Sequence, residues 1–416
     1  MKIDVPYGKD GHQHLNIPEA NYLGTLRPNE LPHSDEDEEL DQALESPIDA
    51  KSIEEFLEGG KDIVFIVNDG TRPTPTAAVL RHLTGHVDLS KVRFLIATGT
   101  HRAPTEDENR MIFGEMYDQL KSQVHAHDCR EDRMVHLGTS NNGTEMHVNE
   151  MAVNADRLVI ITSVEPHYFA GYTGGRKSFL PGVASFETIE QNHRMAMRKE
   201  SQVMMLDGNP VHEDMMDAID IVDNKMIFSI QVVLDRHQHI YNVAAGDLHA
   251  SFRKAVRWAN EVFSVPIKEK ADVVISIARY PMDIDLYQSQ KAIDNAKWAL
   301  KRDGTLILVS KCRMGVGEGT FCEQMSLSKD PHRILANLDA EYKLGYHKAA
   351  KMAEIMTWAR IFAVTDLDPS LIARINMTPF NDVQSAVDKA LENDPEAKVM
   401  VIMDGSVLVP RLVQNE

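Results

Sequence analysis

The segment Pro166-His167-Tyr168-Phe169-Ala170-Gly171-Tyr172-Thr173-Gly174-Gly175-Arg176-Lys177-Ser178 gathers a histidine, three glycines and a lysine, and His193 follows sixteen residues after that lysine. Glycine at this density lets backbone come close to a ligand. A lysine on such a loop can serve as a point charge or as a nucleophile, and histidines can move protons or ligate metals. A phosphate-binding P-loop would need glycine directly before the lysine, so that backbone amides curl round the phosphate. Arg176 stands there instead, which argues against a nucleotide triphosphatase.

Two further loops carry reactive side chains. Asn68-Asp69-Gly70-Thr71-Arg72-Pro73-Thr74-Pro75 and Thr98-Gly99-Thr100-His101-Arg102 each follow an apolar, β-branched run, as does Glu165-Pro166-His167. The preceding runs, Asp62–Val67, Val92–Ala97 and Leu158–Thr162, read as buried strands, and Ile227–Leu234 reads as a fourth. In open α/β sheets ligands bind beyond the carboxyl ends of strands, beside helix N-termini. Asp69, Arg72, His101, His167 and Lys177 are therefore expected to converge on one sheet edge. Taken singly, Asp69 could cap a turn and Arg72 could be a surface cation. His82, His86, His125, His127, His237, His239 and His249 read as ordinary satisfied polar groups. The pairs His125/His127 and His237/His239 have strand spacing for metal ligands, but nothing in sequence completes a site around them.

Apolar runs alternating with amphipathic stretches predict parallel, Rossmann-like α/β layers, and a length of 416 residues predicts two domains. Ser52 with Glu55 and Thr105 with Glu108 read as capping boxes, and Thr74-Pro75 as the N-cap and first residue of a helix. Helical spacing of Leu248, Phe252, Ala255, Val256, Ala259 and Phe263 closes the first domain, placed at 1–266. The strand pattern restarts after Pro266–Lys270, with Asp272–Ala278, Thr305–Val309, Ile361–Val364 and Lys398–Met403 in a second domain at 270–400. Residues 402–416 are expected to return to the first domain. A formal charge of -19 argues against nucleic acid as a partner. The acidic run Asp35–Glu39 reads as a solvated face, and the 21 methionines as core filling. There is no apolar stretch of membrane-spanning length and no leader pattern. Cys129, Cys312 and Cys322 form no CxxC pair, and reduced thiols in the cytoplasm account for them.

In the second domain, Tyr287-Gln288-Ser289-Gln290-Lys291 opens a helix behind Asp283 and Asp285. Gln288 and Lys291 lie three apart, on one face, where an amide, an ammonium and the helix dipole can meet an anion. An exposed polar helix start would look the same.

Five motifs in this order, namely DGTRP, ATGTHR, PHYFAGYTGGRKSFLPGVAS, the Asn192-His193 pair and Tyr287-Gln288-Ser289-Gln290-Lys291, resemble the nickel-pincer lactate racemase family over most of the chain. The resemblance implies two α/β domains with the active site in the cleft between them. It implies that Lys177 is joined covalently to pyridinium-3,5-bisthiocarboxylic acid mononucleotide, the pincer nucleotide, and that His193 is the protein ligand of its nickel. His101 and His167 match the acid/base pair. Gln288 and Lys291, with Tyr287 and Arg72, match groups round a small-molecule 2-hydroxy acid, and Asp69, Gly70, Thr71 and Arg72 match the loop that cradles the cofactor. Enzymes that build the cofactor are implied partners. The implied reaction is racemisation or epimerisation by reversible hydride transfer through a 2-keto acid. Two other readings are a non-catalytic carrier of the same cofactor and a nicotinamide-dependent 2-hydroxyacid dehydrogenase. The opposed histidines speak against the carrier, and the missing G-x-G-x-x-G against the dehydrogenase. Gly345-Tyr346-His347-Lys348 does not match a lactate-specific pocket. His347 and Lys348 suit a polar or acidic substrate tail, or simply an exposed helix start.

Overall fold

A computed structural model describes the chain except for residues 33, 223–225, 318 and 414–416. Two compact units emerge, one of Glu30–Val262 and one of Met1–Asn29 with Phe263–Glu416. Each is built round a six-stranded sheet.

In the Glu30–Val262 unit the sheet runs Ile240–Asp247, Ile227–Leu234, Arg157–Ser163, Ile63–Asn68, Arg93–Ala97, Val124–Ala126. All neighbours are parallel except the first pair. Side chains alternate across a strand. Phe65, Val67, Phe94, Ile96, Val159 and Ile161 therefore enter one apolar cluster, while Val64, Ile66, Leu95, Leu158 and Ile160 enter another on the opposite face. Burial on both faces is why these strands read as unbroken apolar runs rather than alternating ones. The chain starts at Ile63–Asn68, builds outward to Val124–Ala126, then returns to place Arg157–Ser163 on the other side of Ile63–Asn68. Strand order reverses between these two neighbours, and their carboxyl ends open directly into the Asp69 and His167 loops.

The second unit carries an all-parallel sheet ordered Thr378–Phe380, Arg360–Val364, Leu300–Val309, Ala271–Ile277, Val399–Ile402, Tyr22–Leu26. The expected domain limits need correction here. Residues 1–29 belong with the C-terminal unit, not with 1–266, because Tyr22–Leu26 forms its edge strand and a hairpin of Lys2–Tyr7 and Gly11–Asn16 covers one face. Val5, Leu15 and Ile17 are buried in that unit's core beside Val273, Ile275 and Val401. Burial of such side chains contributes about 1.5–3 kcal/mol each, enough to fix where the hairpin packs. The described part of 402–416 also stays with this unit, because Val409–Leu412 pairs in parallel with Ser264–Ile267.

Local signals fare unevenly. Thr105 and Glu108 form a complete capping box for Glu106–Phe113. Ser52 caps Ile53–Leu57 by accepting from the Glu55 N–H. Thr74 does not cap Thr76–Leu83: Pro75 holds the N-cap position, and the Thr74 hydroxyl instead donates to Asn68 Oδ1 at 2.7 Å and meets Ser163 Oγ at 2.9 Å. Thr162 Oγ1 also donates to Asn68 Oδ1, at 2.9 Å, so the carboxyl ends of both strands at the reversal are tied together.

Candidate active site

Asp69 is buried immediately past the strand Ile63–Asn68. Its Oδ1 accepts from the Thr71 N–H at 3.2 Å and from the Thr71 hydroxyl at 2.7 Å. Its Oδ2 lies 2.7 Å from His101 Nδ1. Asp69 is thus both a turn cap and the partner of a histidine. Burial pushes its carboxyl up, but the hydrogen bonds from His101 and Thr71 and the charges of His101 and Arg72 outweigh burial and leave it below the ordinary range. A carboxylate on Nδ1 holds that nitrogen protonated and puts the lone pair of the neutral ring on Nε2. The His101 side chain is 48 % exposed.

The third strand leads through Glu165 to a two-residue pairing of Pro166–His167 with Gly171–Tyr172. Arg72 Nη1 lies 3.9 Å from Glu165 Oε1, joining the first loop to the start of the third. The Ala170 N–H donates to His167 Nδ1 at 3.3 Å, which places the proton of a neutral ring on Nε2. His167 and His101 therefore present opposite faces of the proton ledger at Nε2. Gly171 turns this hairpin at φ +76°, and a Cβ there would stand 2.2 Å from the Met205 carbonyl oxygen.

Phe169 is the meeting point of the loop. The His167 ring lies 4.6 Å from it at 88°, the His193 ring 5.0 Å away at 71°, and Lys177 Nζ 5.7 Å from its centre. Lys177 is half-buried in the 3₁₀ turn Gly175–Ser178. His193 sits in the last turn of Phe186–Arg194, a helix begun by Ser185 accepting from the Thr188 N–H.

Arg176, which broke the P-loop pattern, is fully buried. Its Nη1 donates to the Thr173 and Gly174 carbonyls at 3.1 Å each. Its Nη2 donates to Ala170 at 2.7 Å and Tyr172 at 3.0 Å. Nε donates to His212 Nδ1 at 2.9 Å, and the guanidinium lies 4.3 Å over the Phe252 ring. One side chain thus satisfies four carbonyls of the loop that carries His167 and Lys177. Burial brings its pKa down to about 9. Sequence reasoning gave Arg176 and His212 no role, and no local signal marks an arginine as buried.

In the other unit, Asp285 caps Leu286–Ala296 by accepting from the Gln288 N–H at 2.6 Å. Tyr287, Gln288 and Lys291 are half-buried in its first turns, between the buried Leu286, Ser289 and Gln290. Lys348 Nζ donates to the Tyr287 carbonyl at 2.7 Å and lies 3.5 Å from its ring centre. Gly345 does precede a helix, Tyr346–Met356, but His347 and Lys348 are buried there, which removes the exposed-helix reading.

Several other histidines have ordinary partners: His82 bonds Asp37 and Asp41, His86 bonds Glu54, His125 bonds Asp132, and His127 bonds Asn149 and the Ala184 carbonyl. Among the described residues, no three His, Cys, Asp or Glu side chains gather into a metal site. No helix among them is long and apolar enough to cross a membrane.

A doubly wound sheet with a carboxylate-histidine pair, a second histidine and a lysine at its strand reversal has the layout of an enzyme site. The chain matches the lactate racemase N-terminal domain over residues 7–205 and the lactate racemase C-terminal domain over 267–409. It is 33% identical to the lactate racemase of Thermoanaerobacterium thermosaccharolyticum, covering 98% of this chain and 99% of that one. It is 32% identical to the lactate racemase of Lactiplantibacillus plantarum, covering 97% and 98%. The fold superposes on the T. thermosaccharolyticum lactate racemase apoprotein with a TM-score of 0.92 over 99% of this chain and 100% of that one. A Thermotoga maritima protein at 17% identity and TM-score 0.65 shares the fold, over 91% and 97% of the two chains. The chain belongs to the lactate racemase family, and it is an isomerase of the racemase type.

Proposed function

We propose that this protein racemises or epimerises a 2-hydroxy acid, lactate or a close relative, with a nickel-pincer nucleotide tethered to Lys177. The observation that carries the reading is the opposed state of two histidines. Asp69 leaves His101 Nε2 with a lone pair, while the Ala170 N–H leaves the proton of His167 on Nε2. One ring is set to take a hydroxyl proton and the other to give one, and turnover in the reverse direction exchanges the two roles.

The donor set fits the cofactor. Two imidazoles, His167 and His193, and a lysine meet at Phe169, and no three His, Cys, Asp or Glu side chains gather there among the described residues, so further metal donors would come from an organic group held by Lys177. Imidazole suits nickel. When bound, the cofactor supplies a reversible hydride acceptor, chemistry that side chains lack. The rest falls to this chain. His101 and His167 move the hydroxyl proton, and the Asp69–Arg72 loop cradles the cofactor. Gln288 and Lys291 hold the substrate carboxylate, with Tyr287 and Arg72 beside the substrate. The small-molecule substrate, the supply of cofactor by its biosynthetic enzymes and a cytoplasmic setting belong to the same reading.

Intact-mass measurement after co-expression with the cofactor-making enzymes tests it. A nickel-containing adduct is expected on the wild-type chain and absent from Lys177→Ala, together with racemisation of 2-hydroxy acids by the wild type alone. An unmodified wild-type chain with full activity would end the proposal.

A further inference from the structure

Behind His193 lies a chain of buried polar groups outside the residues assigned to chemistry above. Asn192 and Asp214 are fully buried. Asn192 Nδ2 donates to Asp214 Oδ2 at 2.9 Å and to the Val211 carbonyl at 3.3 Å. Asn192 Oδ1 lies 3.1 Å from His193 Nδ1. Asp214 Oδ1 accepts from the Ser140 hydroxyl, and Ser140 Oγ accepts from the Thr144 N–H at 3.0 Å, so the carboxylate is anchored on the turn that joins Met134–Thr139 to Glu145–Asn149.

The order of donors and acceptors settles which way the amide faces. An ionised carboxylate and a carbonyl can only accept. Rotating the Asn192 amide by half a turn would set its oxygen against both and leave buried acceptors unpaired, which burial makes costly. The oxygen is therefore held toward His193, and His193 Nδ1 must donate to it. In a neutral ring the lone pair then lies on Nε2.

We propose that Asp214 is a positioning residue that, through Asn192, fixes His193 in the Nδ1-protonated tautomer and ring orientation a metal ligand needs. The proposal rests on reading His193 as the nickel ligand. Groups behind a metal-bound histidine commonly act this way, and their loss typically lowers metal affinity or activity roughly 10–100-fold. Neither residue signals the role in sequence: Asp214 sits in the helix Pro210–Val222, where an acidic side chain reads as solvent-facing.

The test uses the full chain. Nitrogen-15 histidine spectra of cofactor-free protein report which ring nitrogen of His193 is protonated, and nickel content after dialysis of protein co-expressed with the cofactor enzymes reports retention. In Asp214→Leu the carboxylate acceptor is gone and only the Val211 carbonyl, the longer contact at 3.3 Å, still orients the Asn192 amide, so the clamp is weakened. The proton is expected to move wholly or partly to Nε2, and nickel retention to weaken roughly 10–100-fold. Wild-type tautomer and wild-type retention in Asp214→Leu, with nickel lost in His193→Ala, would overturn the proposal. If His193→Ala keeps its nickel, the ligand assignment fails, and the metal-free spectra still decide whether Asp214 sets the tautomer. Should Asp214→Leu fail to fold, Asn192→Ala removes the oxygen that His193 Nδ1 donates to and must give the same tautomer shift. An unchanged spectrum there sinks the relay.

Discussion

Lowering the pH should dissolve the support of the glycine-rich loop through a single histidine. His212 is buried and accepts the Arg176 Nε–H on Nδ1, so it must stay neutral in the fold. Burial, and then the nearby charge of Arg176, push its pKa down to about 3. In the unfolded chain a histidine titrates at about 6.5. Between these values the unfolded state binds a proton that the folded state refuses. Stability from this group is therefore complete above about pH 6.5 and falls as the pH drops toward 3, by about 1.4 kcal/mol per pH unit. From pH 7 to pH 5 the loss from this one site is about 2 kcal/mol.

The two units need not unfold together, so the measurement must be local. Amide exchange in Arg157–Ser163 and Ile227–Leu234, central strands of the Glu30–Val262 unit, reports opening of that unit. His212→Gln supplies the control: its amide oxygen can accept from Arg176 but does not titrate. Other acid-sensitive groups are common to both proteins and cancel in the difference. Wild type should lose about 2 kcal/mol more than the variant over this range. Parallel pH dependence in the two proteins would refute the reasoning, since His212 would then not be the group resisting protonation.

Asp69→Asn should keep the loop but offer His101 a donor where it had an acceptor, favouring the wrong tautomer and lowering turnover in both directions by about two to four orders of magnitude; turnover within a factor of about two of wild type would remove Asp69 from the mechanism. Gly171→Ala should destabilise the Glu30–Val262 unit by roughly 3 kcal/mol or more, because φ is +76° and the Met205 carbonyl stands 2.2 Å from the added Cβ; thermal unfolding checks this, and an unchanged midpoint would contradict the hairpin geometry. Substrate deuterated at Cα should react more slowly and keep its label on carbon, whereas extensive exchange with solvent during turnover would favour deprotonation at Cα over hydride transfer.

What the sequence revealed follows from the kind of signal each feature leaves. The eight strands read from apolar runs all appear, because burial on both faces demands continuous β-branched segments, as in Ile63–Asn68 and Val399–Ile402. The site loops were legible for the opposite reason: Asp69, His101 and His167 interrupt that pattern just where a strand ends. The N-terminal hairpin was missed because Lys2–Tyr7 buries only Val5 fully, and the partner strand of Tyr22–Leu26 lies hundreds of residues later. Nothing local encodes such a pairing. Arg176 and Asp214 were missed because their types normally face water, and His212 because nothing local tells a buried histidine from an exposed one. Their role lies in burial, which is a property of the folded chain. The residue that seemed to spoil a phosphate loop is the one whose guanidinium holds four of this loop's carbonyls. A motif's departure from a known pattern can thus mark what supports a different chemistry, once the departing side chain is found inside the protein rather than on it.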